Sequence, residues 1–160
     1  LDRAIDLFNQ VGTSGNPNVA DACGLQARLY LERGELQRAI TWSKRNYEQL
    51  QTGSGQEIGG APEWGRYKRL EGRIKLVQDD LEEAIERFHQ AIEIFKVNRS
   101  NAEVGRTGYW LAQAYAQSGQ VEKARDQLTD AQALFRHLGA QRELERTKKA
   151  LADLEVAPLF

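Results

Sequence analysis

The chain has 160 residues, with 22 Lys or Arg against 23 Asp or Glu, 41% hydrophobic and 28% charged residues. That length suits one domain burying roughly 70% of its unfolded surface, and the near-neutral balance argues against a dedicated nucleic-acid binder, which carries an excess of Lys and Arg. No apolar run approaches the roughly 20 residues of a bilayer-spanning helix, so no membrane segment is expected.

In chain order, LDRAIDLF at the start is already amphipathic and predicts a helix over 2–11, without a start methionine or signal peptide; the chain reads as a piece of something longer. Asn16 before Pro17 is an N-cap with proline at the first helical position, opening a helix over 17–33 that Gly34 stops, and a second follows over 35–51. Gln51 to Pro62, QTGSGQEIGGAP, is rich in glycine and serine and reads as a surface insertion, cheap in loop entropy. Helices over 62–78 and 80–98 come next, with Asp79 and Asp80 at the turn as capping residues. Ser100 and Glu103 have capping-box spacing before a helix over 101–118, and Gly119 and Gly139 punctuate helices over 120–138 and 141–155. Eight helices and no useful strand alternation make the chain all-α.

Three segments align without gaps: LQARLYLERGELQRAITWSK from Leu25, LEGRIKLVQDDLEEAIERFH from Leu70 and WLAQAYAQSGQVEKARDQLT from Trp110. Their third column is Ala27, Gly72 and Ala112, their tenth Gly34, Asp79 and Gly119, and their fifteenth Ala39, Ala84 and Ala124. Small residues at the third and fifteenth let two helices approach, while Gly or Asp at the tenth suits a tight turn. The expected architecture is a solenoid, an α-α superhelix of stacked antiparallel hairpins forming a single domain over 1–160. Within it, 1–12 is the second helix of a truncated repeat, 17–51, 62–98 and 101–138 are whole repeats, and 141–155 is a terminal helix. The stacking ends are expected to be exposed on both sides, since Leu1 starts mid-repeat and no strongly polar cap closes the N-terminal side, which would allow homo-oligomers to form through them.

These columns resemble the tetratricopeptide repeat (TPR), most clearly in GELQRAI, DLEEAIERFHQAIEIF and GQVEKA. Glu71, where the family has an apolar residue, and Lys75, where it has tyrosine, depart from the pattern. The 40-residue period, with Phe95 and Phe135 in register, is similar to the long-helix variety of signalling scaffolds and of sensor regions in large bacterial regulators of the maltose-activator type. The resemblance implies a right-handed superhelix that binds proteins, with first helices lining a concave face. The chaperone-tail clamp of some members is excluded, because its asparagine and lysine columns hold Gly24, Arg28 and Trp110 here.

WGRYKRLEGRIKL, from Trp64, holds five basic residues. On a helix, Tyr67, Leu70, Ile74 and Val77 share a core arc, Arg66, Arg69 and Arg73 form a stripe beside it, and Lys68 and Lys75 lie elsewhere. Under the resemblance, equivalent columns add Arg28, Arg106, Tyr109, Gln113, Arg146 and Lys149 to the groove. Asp80, Glu82, Glu83, Glu86 and Glu93 would make the outer surface more acidic. Arginine suits the groove because its planar fork grips carboxylates bidentately and is weakly hydrated. The expected partner is therefore a protein or peptide, acidic or extended; the competing reading pairs the arginines with acids of adjacent helices such as Glu71 or Glu32.

Nothing else carries chemistry. His89 and His137 lack metal-site companions, GSGQEIGG lacks the Lys-Ser/Thr of a phosphate loop, Trp42, Trp64 and Trp110 read as packing between hairpins, and the single Cys23 reads as a small hydrophobe in a cytoplasmic chain. No enzyme activity, cofactor or metal is expected. The functional expectation is a protein-interaction module of a larger signalling protein; the alternative is the effector-sensing segment of a multidomain transcriptional or ATPase regulator.

Overall fold

A computed structural model describes residues 17–54 and 61–156. The expected helix over 2–11, the Asn16 cap and the centre of the Gln51–Pro62 segment lie outside the described residues. Among those described there are seven helices and no strand: α1 (Pro17–Glu32), α2 (Leu36–Ser54), α3 (Pro62–Val77), α4 (Leu81–Val97), α5 (Asn101–Gln117), α6 (Val121–Leu138) and α7 (Gln141–Val156). α2 runs three residues past its expected end, with Gln51 bonded to the Tyr47 hydroxyl and Thr52 Oγ1 donating to the Glu48 carbonyl.

α1 with α2, α3 with α4, and α5 with α6 form antiparallel hairpins; α4 packs on α5 and α6 on α7. α1 also touches α3, α3 touches α5, and α5 touches α7, so the odd helices line one layer and the even helices back it. Each element meets only its neighbours in the stack, as a solenoid requires.

One turn joins the helices five times. Gly34, Asp79, Arg99, Gly119 and Gly139 have φ of 76°, 61°, 52°, 77° and 66°. In each case the next residue's N–H donates to the carbonyl five back, as Asp80 to Lys75 (3.0 Å) and Gln120 to Tyr115 (2.8 Å), closing a Schellman motif. The last four left-handed residues are 20 apart. The turn does not need side-chain caps: Asp80 and Ser100 make none, which corrects the capping readings for both. Asp80 pairs with Lys75 Nζ at 2.9 Å instead, and Glu103 turns to two arginines described below.

The column alanines Ala27, Ala39, Ala84, Ala112 and Ala124 are all sealed in the core. Gly72 has a sharper reason: a Cβ there would lie 2.6 Å from Cε1 of Phe88. In the next hairpin the same two positions are Ala112 and Leu128, a larger residue facing a smaller one. Tyr67, Leu70 and Ile74 are buried as expected, but Val77, the last residue of α3, is 57% exposed, at the helix end where the chain turns away. Glu71 lies inside its own hairpin, accepting from the Tyr67 hydroxyl (2.8 Å) and pairing with Arg87 of α4 and Lys68, both at 3.7 Å. Burial first, then Glu71, raise the Tyr67 hydroxyl far above its usual range.

Candidate functional site

Three cavities follow one another along the odd helices. The central one, about 290 Å³, is walled by Arg28, Arg69, Arg73, Arg106, Arg142 and Arg146, against which stand only Glu32 and Glu143. Tyr109 and Trp110 supply its aromatic wall. A second cavity of about 370 Å³ shares Arg28, Arg69 and Arg73 and adds Arg66 beside Asp21 and Glu63. A third, about 310 Å³, shares Tyr109 and Arg146 and brings in Gln113 and Lys149. All nine residues expected in the groove therefore lie along this run, from α1, α3, α5 and α7.

They differ in what holds them. Arg66 binds Asp21 of α1 at 3.1 Å and Glu63 at 3.0 Å. Arg69, its side chain 13% exposed, reaches α5, pairing with Glu103 at 2.5 Å and donating to Thr107 Oγ1 at 3.3 Å, with its guanidinium 5.3 Å from the Phe95 ring. Arg106 bridges Glu103 (2.6 Å) and Glu143 of α7 (2.9 Å). Arg73 is 8% exposed; it pairs with Glu32 of α1 at 3.5 Å and lies 4.2 Å from the centre of the Trp110 ring. Its Nε is buried without a hydrogen-bond partner among the described residues. Arg28 reaches the same Glu32 at 3.9 Å.

Arg146 is different. Its guanidinium sits 4.1 Å from the Tyr109 ring centre and 5.0 Å from that of Trp110, and it has no ion pair with any described residue. Tyr109 and Trp110 brace each other edge to face at 5.5 Å. Arg142 and Lys149 are exposed beside it, likewise without an ion pair among the described residues. Among the described residues the α7 end of the groove thus presents cations without ion pairs, whereas the groove arginines of α1, α3 and α5 are paired with carboxylates.

The competing reading of the sequence holds at the α3 stripe, where Glu32 is a partner as expected, but Glu71 is not; its pairs lie within the α3–α4 hairpin. Glu103, expected as a capping residue, clamps Arg69 and Arg106 instead, and Glu63 and Glu143 also bind arginines without having been singled out in the sequence. Glu63, Glu103 and Glu143 stand 40 apart, each three residues before Arg66, Arg106 or Arg146, so a repeated Glu-x-x-Arg was the available signal. Trp110 was expected only as packing; it is half-buried, with one edge against the core and its ring attended by two arginines. Trp64 and Trp42 do pack, Trp64 edge to face with Tyr47 and Tyr67.

Electrostatics follow burial. Desolvation lowers the Arg73 pKa to about 10, assisted by Arg28 and Arg69 and opposed by Glu32, which leaves it charged at neutral pH. Burial lowers Arg69 too, against the pull of Glu103. Burial would raise Glu103, but Arg69 and Arg106 outweigh it and hold the carboxyl below the usual range. The site's means are thus guanidinium forks, which suit anions, and ring faces, which hold and orient the guanidiniums. Elsewhere, His89 Nε2 meets the Tyr115 hydroxyl at 2.9 Å, the Cys23 thiol is pushed up to about 11 by burial, and no metal-holding cluster occurs among the described residues.

No protein-family model matches the chain, and no curated protein matches it. Solved structures do. A Podosopora anserina protein described as a kinesin light chain of nearly identical TPR-like repeats superposes with a TM-score of 0.63 at 21% identity, covering 84% of this chain and 68% of that one. A variant of that protein gives 0.61 at 20% identity, covering 86% and 72%. At such identity the likeness is one of fold, and the fold is a TPR-like helical repeat.

Proposed function

We propose that the chain is a non-enzymatic protein-interaction module, one section of a larger signalling or regulatory protein, that holds an acidic extended segment of a partner along its odd helices. The observation that carries this is the charge of the central cavity, six arginines against two glutamates, within a chain whose net charge is −1. A solenoid of TPR-like hairpins supports the reading because its odd helices offer a continuous face rather than a closed chamber, and the three cavities share walls in that manner. An enclosed effector pocket would converge a few polar groups on one small molecule, so effector sensing has less support. A cytoplasmic setting fits the lone, buried cysteine.

The test is fluorescence anisotropy with a labelled Asp/Glu-rich peptide, its amide counterpart (Asn/Gln) as control, across ionic strength. Saturable binding of the acidic peptide alone, weakening steeply from about 0.05 to 0.5 M salt, is expected. Equal binding of both peptides, or none, rejects the proposal.

A further inference from the structure

The α7 end of the groove combines features that a single carboxylate would not satisfy. Arg146 is laid on Tyr109 and Trp110 at 4.1 and 5.0 Å with no carboxylate of its own, so the rings hold the guanidinium in place while its fork stays unengaged. Arg73 attends the same indole from α3 at 4.2 Å, with a buried Nε that nothing among the described residues accepts from. Arg142 adds a third cation to the wall; among the described residues the wall's own carboxylates are Glu32 and Glu143, while Glu103 holds Arg69 and Arg106. Glu143 is engaged by Arg106, and Glu32 is shared between Arg28 and Arg73. One carboxylate brings one charge and two oxygens; a phosphate monoester brings close to two charges and three strong acceptors, enough for several forks at once.

We infer that this end of the groove recognises a phosphorylated residue within the partner's acidic segment, with Arg146, Arg142 and Arg73 as the phosphate ligands around Trp110. The inference rests on the interaction reading above and specifies it: binding would be switched on by phosphorylation of the partner. Arg73 supplies depth, Arg146 and Arg142 the rim, and Tyr109 the platform that keeps Arg146 from collapsing onto Glu143.

The test uses the immobilised chain and four labelled degenerate peptide pools. Three have Asp/Glu-rich flanks and differ at one central position, which is phosphoserine, glutamate or serine; the fourth replaces every acid with its amide. The phosphoserine pool should be retained about tenfold more strongly than the glutamate pool. Arg146→Ala should erase that margin while leaving helical circular dichroism unchanged and weakening retention of the serine pool only slightly. Arg146→Lys should recover only part of it, because a point charge lacks the fork. Equal retention of phosphoserine and glutamate pools, both above the amide pool, overturns the phosphate inference and leaves the acidic-segment reading standing. Equal retention of all four overturns both. A phosphoserine margin that persists in a folded Arg146→Ala protein overturns the assignment of Arg146 as a phosphate ligand, and direct binding of inorganic phosphate to the chain with no pool retained overturns both readings in favour of a free-anion site.

Discussion

The α3–α4 hairpin and the α5–α7 end carry the same positions of one repeat and put them to different uses. In the first, Arg66, Arg69 and Arg73 each reach a carboxylate on a neighbouring helix, Asp21, Glu103 and Glu32, and become ties between hairpins. At the second, Arg146, equivalent to Arg66 and Arg106, finds Glu143 taken by Arg106 and lies on two rings instead. The cores differ in parallel: Phe88 presses on Gly72, while Leu128 and Ala112 occupy the matching places. Among the described residues the same Glu-x-x-Arg therefore builds structure where the glutamate pairs with its own arginine, as Glu63 and Glu103 do, and offers charge where the glutamate, as Glu143, pairs only with the arginine of the preceding odd helix.

The sharpest way to break this contrast is Glu103→Ala, which strips the part-buried Arg69 of its carboxylate and Arg106 of one of two. We expect a loss of about 3 kcal/mol by denaturant unfolding, the lower end for breaking a buried pair, since the Glu103 side chain keeps 22% of its surface exposed. A loss no larger than that for Arg146→Ala would erase the distinction between tie and free cation. Next, Gly72→Ala should cost about 1–3 kcal/mol through contact with Phe88. Adding Phe88→Leu, which recreates the neighbouring hairpin's pair, should give a double variant more stable than the two single losses predict. Strict additivity would mean the two side chains do not meet as described. Arg146→Ala should change stability by less than about 1 kcal/mol, the scale of exposed cation–π contacts, yet weaken acidic-peptide binding.

The smallest effect lies in acid. Glu103 and Glu143 are held below their usual 4.5, by Arg69 and Arg106 against burial in the first case and by the hydrogen bond from Arg106 in the second. A carboxyl with a depressed folded pKa contributes stability that is whole above the unfolded value and is lost as pH falls through the folded one. Stability should therefore decline below about pH 4.5, and Glu103→Gln should flatten that decline. An unchanged slope would show that these ties carry no titrating contribution.

The hairpins were legible in the sequence because their signals are local: an alanine or glycine where helices touch, a glycine or aspartate where the chain reverses. Arg99 escaped, since its residue type gives no hint of φ 52°, although its place forty residues before Gly139 does. Val77 was misplaced because helical periodicity continues on paper past the residue where packing ends. The stripe of Arg66, Arg69 and Arg73 could be projected from one helix, but their partners could not. Which acid meets which guanidinium depends on the offset between successive odd helices, and a wheel drawn for one helix contains no such offset. Trp110 was read through its column mates Leu25 and Leu70, whereas its surroundings are set by Arg73 and Arg146 arriving from the helices on either side.

The recurrent left-handed turn makes the molecule divisible. Arg99–Ser100 and Gly139–Ala140 are closed by the same two backbone hydrogen bonds, so the stretch from Ser100 to Gly139 begins and ends at interchangeable joints. Duplicating that stretch in place would insert a whole hairpin without inventing a new junction. It would set a second Tyr109–Trp110 pair one hairpin along, so the recognition surface can grow by whole lengths, the way a ruler is extended by its own divisions.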